Sequence, residues 1–180
     1  MRISPDTKFD AVELDELYWY IGKRKGHENG VNAYIMTMLS RIPRQIIAFA
    51  VNSSVNVANI QRMVDMLPTA QIYYTDGGPC YVGVDFIGKH KRNTRDKSDT
   101  HNIESNNSDL RHYISGLRRR SRCFFRSMET LETVLTVFIN AYTKYGEAKL
   151  KYGVPVQHRP NHGKHLHKHR ELGFSILDFL

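Results

Sequence analysis

The sequence lacks the features that mark membrane, secreted or disulfide-stabilised proteins. It contains no apolar run of about 18 residues, so no membrane-spanning helix and no membrane partner are predicted. Its first residues lack the apolar core of a signal peptide, so we expect a cytoplasmic protein. Its two cysteines, Cys80 and Cys123, form no CxxC pair, which excludes a disulfide framework and predicts reduced, small apolar side chains.

The composition is that of an ordinary globular domain with a basic surplus. The chain has 180 residues, of which 41% are hydrophobic, enough for one domain with a substantial core. The formal net charge of +8 favours nucleic acid or an acidic membrane surface as partner, although many small proteins are basic for no specific reason. Much of the surplus lies in two segments, residues 88–97 and 116–126, and this clustering favours nucleic acid.

Arginine and lysine in these segments are the predicted DNA contacts, because guanidinium groups pair with phosphate oxygens in a fixed geometry. The predicted set is Lys89, Lys91, Arg92, Arg95, Arg111, Arg118, Arg119, Arg120 and Arg122. Two phenylalanines, Phe124 and Phe125, follow the second segment. They either stack on unpaired bases or anchor the core, and core packing is the commoner use.

The pattern of apolar residues predicts strands alternating with helices. Predicted strands cover residues 11–21, 31–39, 45–51 and 71–75, with a weak fifth strand near 84–89. Predicted helices cover residues 53–68, capped by serine and stopped by Pro68, then 100–118 and 127–145. This order predicts an α/β layered domain.

Three acids in this arrangement are candidates for one site. Asp15 lies mid-strand among apolar neighbours, where a carboxylate is costly unless it is paired or bound to a metal. Asp76 ends another predicted strand, and Glu104 lies on a helix face that borders the apolar stripe. Clustered carboxylates repel one another unless a cation intervenes, and hard oxygen ligands favour Mg²⁺ or Mn²⁺. Three such acids can hold two divalent ions that act on a phosphodiester.

Simpler interpretations exist for each acid taken alone. The run Thr75–Gly78 is also a common turn sequence, in which Gly77 and Gly78 supply positive φ or room for a close approach. Glu104 also fits the solvated face of an amphipathic helix. Only the combined order of strand aspartate, strand-end aspartate and helix glutamate in a basic domain is specific.

Three segments, "ELDELYWYIGKR", "YYTDGGPCY" and "HNIESNNSDLRHYISGLRRRSRCFFRS", together resemble the DDE transposases of bacterial insertion sequences, of the type encoded by insertion sequence one. The resemblance covers roughly Val12 to Tyr145. It implies a ribonuclease-H-like fold: a mixed five-stranded sheet, antiparallel in its first three strands, with flanking helices. It also implies that Asp15, Asp76 and Glu104 are the catalytic and metal-binding triad, acting with Mg²⁺ in DNA cleavage and strand transfer.

The neighbours of the three acids have expected roles of their own. Glu13 shares the face of Asp15 and is expected to tune it, whereas Glu16 points the other way. Asn107 and Arg111 share the face of Glu104 and are expected either to orient it, to touch a phosphate or to serve the structure.

The resemblance leaves alternatives and partners to consider. Both a nuclease that only hydrolyses and an inactive, transposon-derived DNA-binding protein are alternatives. No zinc-binding or helix-turn-helix region precedes Asp15, so recognition of the element ends is expected to need another polypeptide or a fused segment. A homodimer or larger assembly on element ends and target DNA is the family expectation.

The chain is predicted to divide into a catalytic domain, residues 1–150, and a histidine-rich tail, residues 151–180. In the tail, His158, His162, His165 and His169 would share one face of a helix, which suggests a metal site. Pro160 and Gly163 argue against that helix, so a solvated tail is the favoured interpretation.

Overall fold

A mixed sheet of five strands carries the architecture in a computed structural model, which describes residues 7–22, 30–66, 69–94, 99–118 and 124–152. The strands are β1 (Phe9–Gly22), β2 (Gly30–Ser40), β3 (Gln45–Asn52), β4 (Ala70–Thr75) and β5 (Lys89–Arg92). Their order is β3-β2-β1-β4-β5. Strands β1, β2 and β3 pair antiparallel, β4 runs parallel to β1, and β5 runs parallel to β4. The predicted α/β class and mixed five-stranded sheet are confirmed.

Helices cover both faces of this sheet, which explains why three successive residues of its central strand, Val12 to Leu14, are buried. Helix α1 (Val57–Asp65) contributes Ile60, Met63 and Val64 to a core with Val12 and Leu14 of β1. Helix α2 (His101–Tyr113) lies on the opposite face, against β1 and β2. Because side chains alternate along a strand, Asp15 and its partner Thr37 on β2 face α2.

Helix α1 is shorter than predicted and has a different cap. The side chain of Asn56, rather than a serine, accepts a hydrogen bond of 2.9 Å from the backbone N–H of Asn59. Asparagine serves here because its short side chain reaches the third amide of the helix. Leu67 and Pro68, which were expected to end this helix, lie outside the described residues.

Helix α2 also ends earlier than predicted. It stops at Tyr113, because Ile114 adopts an extended conformation (φ −92°, ψ 102°), and a short 3-10 turn, Ser115–Leu117, follows. The backbone of Gly116 lies against the ring of Phe125, where a Cβ atom would come within 2.6 Å of the ring. Despite the break, the predicted apolar stripe is buried: Ile103, Leu110, Ile114 and Leu117.

The predicted position of the fifth strand is wrong. The strand lies not at residues 84–89 but at Lys89–Arg92, where a basic run pairs with β4 at the edge of the sheet. Charged side chains suit an edge strand because they stay in water and discourage pairing with other chains. Gly88, the residue before this strand, packs closely against β4. A Cβ atom at Gly88 would overlap the carbonyl oxygens of Ala70 and Gln71.

The last described helix, α3 (Met128–Tyr152), confirms the predicted helix and extends it. Its start is capped by the Ser127 hydroxyl, which accepts a 3.1 Å hydrogen bond from the backbone N–H of Thr130. The chain divides into two compact units, Met1–Thr133 and Val134–Leu180, so that the helix begins in the first and continues in the second. Residues 153–180, which include all four histidines of the suggested tail site, lie outside the described residues.

The tight approach of β5 to β4 yields a stability prediction. We expect Gly88→Ala to lower the free energy of unfolding by at least about 1 kcal/mol, because the added methyl meets backbone atoms that cannot rotate away. The matched control is Gly146→Ala in α3, where no heavy atom lies within 4 Å of the new methyl. That change should raise stability by up to about 1 kcal/mol, since alanine favours a helix over glycine. Urea unfolding followed by circular dichroism measures both, and equal effects would contradict the prediction.

Candidate catalytic site

The parallel pairing of β1 and β4 brings two of the predicted acids to the same edge of the sheet. The last paired residues are Leu14 and Thr75, and Asp15 and Asp76 each follow one position later along these strands. Neighbouring strands lie about 4.8 Å apart, so the two aspartates start from adjacent backbone positions and face the same side. Strands β1 and β4 are therefore neighbours, which is the arrangement that allows their two aspartates to meet.

The turn after β4 orients Asp76. Its Oδ1 accepts a 2.8 Å hydrogen bond from the backbone N–H of Gly78. A Cβ atom at Gly78 would lie 2.9 Å from that oxygen, so a larger residue would make the Asp76 carboxylate shift. Positive φ is not the reason for a glycine here, because Gly78 has φ −53°. Of the two uses predicted for this glycine, only the close approach occurs.

Helix α2 brings Glu104 and Asn107 over the same face. Glu104 lies in the first turn of the helix and is half-buried. Asn107 is buried, and its Nδ2 donates a 2.8 Å hydrogen bond to Oδ2 of Asp15. The buried Thr37 hydroxyl donates to Oδ1 of Asn107 at 3.4 Å, which turns the amide nitrogen toward Asp15. Asn107 was expected to orient Glu104, to touch a phosphate or to serve the structure; the hydrogen bond seen here goes to Asp15.

Both of the other acids affect the pKa of Asp15. Burial raises the pKa of Asp15 from 3.8 to about 6; repulsion from Asp76 and Glu104 adds to the rise, and hydrogen bonds from the Glu16 backbone and Asn107 oppose it. The three predicted acids therefore share one electrostatic environment. Within the described parts of the chain, no three side chains of histidine, cysteine, aspartate or glutamate already stand close enough to hold one metal ion.

Glu13 occupies the Asp15 face, as predicted, but it bonds to α2 and to Arg41. Its side chain is fully buried, and Oε1 accepts hydrogen bonds of 2.7 Å from both Nε of Arg41 and Nδ2 of Asn102. Oε2 accepts a 2.9 Å hydrogen bond from the backbone N–H of Ile103. Sequence reasoning missed Arg41, Asn102 and Thr37. The available signal was Glu13 itself, since a glutamate in an apolar strand requires a cationic partner.

Glu16 supports the turn on the opposite side of the strand, consistent with its predicted direction. It accepts a hydrogen bond from the Tyr81 side chain and one of 3.6 Å from Sγ of Cys80. Burial raises the pKa of Glu16, the Tyr81 hydrogen bond lowers it, and repulsion from Asp15 and Asp76 raises it further. Glu16 thereby anchors the short 3-10 turn Pro79–Tyr81 that follows Asp76.

Cys80 is a free, half-buried thiol, as the sequence predicts. Burial, with Glu16 next, raises its pKa to about 11, so at neutral pH it is a thiol rather than a nucleophilic thiolate. Cys123 lies outside the described residues.

The basic residues predicted to contact DNA are only partly described. Lys89, Lys91 and Arg92 are exposed on β5, Arg118 is exposed after α2, and Arg111 is half-buried on α2. Arg92 donates to the carbonyl oxygen of Gly77, which ties the basic strand to the Asp76 turn. The others lie outside the described residues: Arg95, Arg119, Arg120 and Arg122.

The two phenylalanines after the second basic segment have different surroundings. Phe125 is buried against Gly116, the core use predicted as the commoner one. Phe124 is 50% exposed, so its ring is available for stacking. Core packing is therefore confirmed for Phe125, whereas base stacking by Phe124 stays a prediction.

Among the described helices, none is long and apolar enough to cross a membrane.

Comparison with known proteins identifies relatives of this chain. The chain is similar to insertion element IS1 protein InsB of Shigella flexneri, with 28% identity over 132 residues, 72% of this chain and 94% of that protein. It is also similar to insertion element IS1 2 protein InsB of Escherichia coli (strain K12), with 27% identity over 142 residues, 77% of this chain and 80% of that protein. The sequence profile described as IS1 transposase matches residues 10–145, which contain all three acids, and the chain therefore belongs to the IS1 transposase family.

Proposed function

We propose that this chain is the catalytic domain of a DDE transposase, which cleaves DNA at element ends and transfers the cut strand into target DNA. The observation that carries the proposal is the position of Asp15 and Asp76 at matching places on two parallel strands. Helix α2 brings Glu104 into electrostatic contact with Asp15 from above the sheet. Membership of the IS1 transposase family supports transposition as the process these acids serve.

A ribonuclease-H-like fold is part of the same proposal. Its support is the strand order β3-β2-β1-β4-β5 with three antiparallel strands followed by two parallel ones. In this order the first acid lies in the central strand, the second ends its parallel neighbour, and the third lies on a covering helix.

The donor set fits Mg²⁺ or Mn²⁺. Carboxylate oxygens are the hard ligands that these ions prefer. Burial is the main cause of the raised pKa of Asp15, and a bound cation would relieve the repulsion from Asp76 and Glu104 that adds to it. Two bound ions would lower the pKa of the attacking hydroxyl and stabilise charge on the phosphodiester. Asp15, Asp76 and Glu104 would hold the ions, and Asn107 orients the Asp15 carboxylate through its 2.8 Å hydrogen bond.

The basic edge of the sheet is the proposed DNA surface. Lys89 and Lys91 project from β5, the neighbour of the strand that ends at Asp76. Such charges displace counterions from the phosphate backbone and place the duplex across the acids. A homodimer on paired element ends, with a separate polypeptide for end recognition, is proposed from the family resemblance alone.

Removal of the third acid tests the catalytic assignment. We expect Glu104→Gln to reduce Mg²⁺-dependent cleavage of DNA that carries the element ends by more than about a hundredfold, since even the loss of an outer partner of a metal ligand costs 10–100-fold. The control is Asp109→Asn, which also replaces a carboxylate by an amide on α2 and should retain activity. A labelled donor end distinguishes strand transfer from hydrolysis alone. Undiminished cleavage by Glu104→Gln, or no cleavage by the wild type, would reject the proposal.

Asp15 yields a prediction on pH and metal dependence. Its pKa is higher in the folded than in the unfolded state, so its ionisation costs stability as pH rises from about 4 to about 6. Without metal, Asp15→Asn should therefore raise the melting temperature above pH 6, and the gain should disappear below pH 4. Mg²⁺ should raise the melting temperature of the wild type but not of the variant. Calorimetry across pH 4–8 measures this, and a variant less stable than the metal-free wild type at pH 7 would contradict the account.

The DNA surface has a test in salt dependence. We expect Lys89→Gln and Lys91→Gln each to weaken DNA binding and to reduce the slope of log affinity against log salt by about 1. Arg62→Gln, an exposed change on α1 behind the sheet, is the control and should leave the slope unchanged. Fluorescence anisotropy between 50 and 300 mM salt measures the slopes, roughly the range in which counterion release dominates. Equal slopes for all three variants would place the DNA elsewhere.

A further inference from the structure

A single buried carboxylate connects the strand that carries the first acid to the helix that carries the third. Glu13 lies on β1, two residues before Asp15, and its side chain has 0% exposure. An ionised group so deeply buried is destabilising unless its oxygens are well bonded. Both oxygens have partners, and two of the three donors belong to the first turn of α2: the side chain of Asn102 and the backbone N–H of Ile103.

Glu13 acts as the cap of α2 from a distant part of the chain. The first amides of a helix lack partners within the helix, and a negative charge is favourable at that end. Thr100 occupies the usual capping position, but its side chain makes no capping hydrogen bond. Oε2 of Glu13 takes that role by accepting from the N–H of Ile103 at 2.9 Å.

Arg41 fixes the other side of the same carboxylate. Its Nε lies 2.7 Å from Oε1 of Glu13, its Nη2 donates to the carbonyl oxygen of Asp99 at 2.5 Å, and its guanidinium carbon lies 3.7 Å from the centroid of the Tyr74 ring. Asp99 lies two residues before α2 begins. The chain is therefore held on both sides of the helix start, by Arg41 before it and by Glu13 within its first turn.

We propose that Glu13 is the positioning residue that sets where Glu104 stands relative to Asp15. Glu104 follows Ile103 directly, and Glu13 shares the face of Asp15 on one continuous strand. The placement of the third acid thus depends on a contact made two residues from the first. This inference rests on the proposed function, because it assigns Glu13 a task in the metal site formed by those acids.

The three acids of "ELDEL" then have three tasks. Glu13 holds α2, Asp15 faces the site, and Glu16 anchors the turn after Asp76 through Tyr81 and Cys80. Alternation along the strand makes this possible, since Glu13 and Asp15 face α2 while Glu16 faces the turn.

The test uses Glu13→Gln, which keeps the shape of the side chain. It replaces one carboxylate oxygen, an acceptor, by an NH₂ group, which cannot accept the hydrogen bonds that Glu13 receives. Amide hydrogen exchange at Ile103 should accelerate by about tenfold or more, because a hydrogen bond to a charged acceptor is lost. The Mg²⁺ concentration for half-maximal DNA cleavage, and for half of the Mg²⁺-induced rise in melting temperature, should increase by about 10- to 100-fold. Asn102→Ala removes one donor to the same carboxylate and should shift both quantities in the same direction by less.

The control is Met63→Ala, which destabilises the core on the α1 side of the sheet without touching α2. At matched loss of melting temperature it should leave the Ile103 exchange and the Mg²⁺ dependence unchanged. Should Glu13→Gln not fold, Asn102→Ala decides alone. A Mg²⁺ dependence in both site variants equal to that of the control would overturn the proposal and leave Glu13 a purely structural residue.

Failure of the proposed function gives a different result. Wild-type protein that binds Mg²⁺ but never cleaves DNA would reject the transposase chemistry. Faster exchange at Ile103 together with weaker Mg²⁺-induced stabilisation in Glu13→Gln would still support the positioning role. No Mg²⁺-induced stabilisation of the wild type would overturn both.

Discussion

The parallel pairing of β1 with β4 is the constraint on which the candidate site depends. Because Leu14 pairs with Thr75, the next residue on each strand is an aspartate, and both acids face the same side of the sheet. A shift of one residue in this register would turn one of them to the opposite face, into the apolar core under α1. The basic edge strand β5 pairs with the outer side of β4, so that β4 lies inside the sheet.

The site is a cluster of like charges that the surrounding polar contacts hold in place. Asp15 is held by Asn107, Asp76 by the amide of Gly78, and the helix that carries Glu104 by Glu13. These contacts orient the side chain of Asp15, the side chain of Asp76 and the first turn of α2. In the proposed metal site, bound cations would offset the repulsion between these acids.

Much of this arrangement is predictable from the sequence. Alternation predicts β1, and runs of apolar residues predict β2 to β4. The order of the acids along strand, strand end and helix predicts a candidate site, of which the structure shows the pairing of the two strands. The position of β5 was mispredicted because "KHKR" carries no apolar signal, and only pairing with β4 makes it a strand. The partnership of Glu13 with Arg41 and Ile103 joins residues that are 28 and 90 positions apart, and only the folded sheet specifies it.

A crystal structure of the protein with Mn²⁺, located by its anomalous scattering, tests the central claim most directly. The account predicts a Mn²⁺ peak bonded to carboxylate oxygens of Asp15, Asp76 and Glu104, with α2 still held by Glu13. A peak elsewhere in the molecule, or bound Mn²⁺ that Glu104 does not contact, would contradict it.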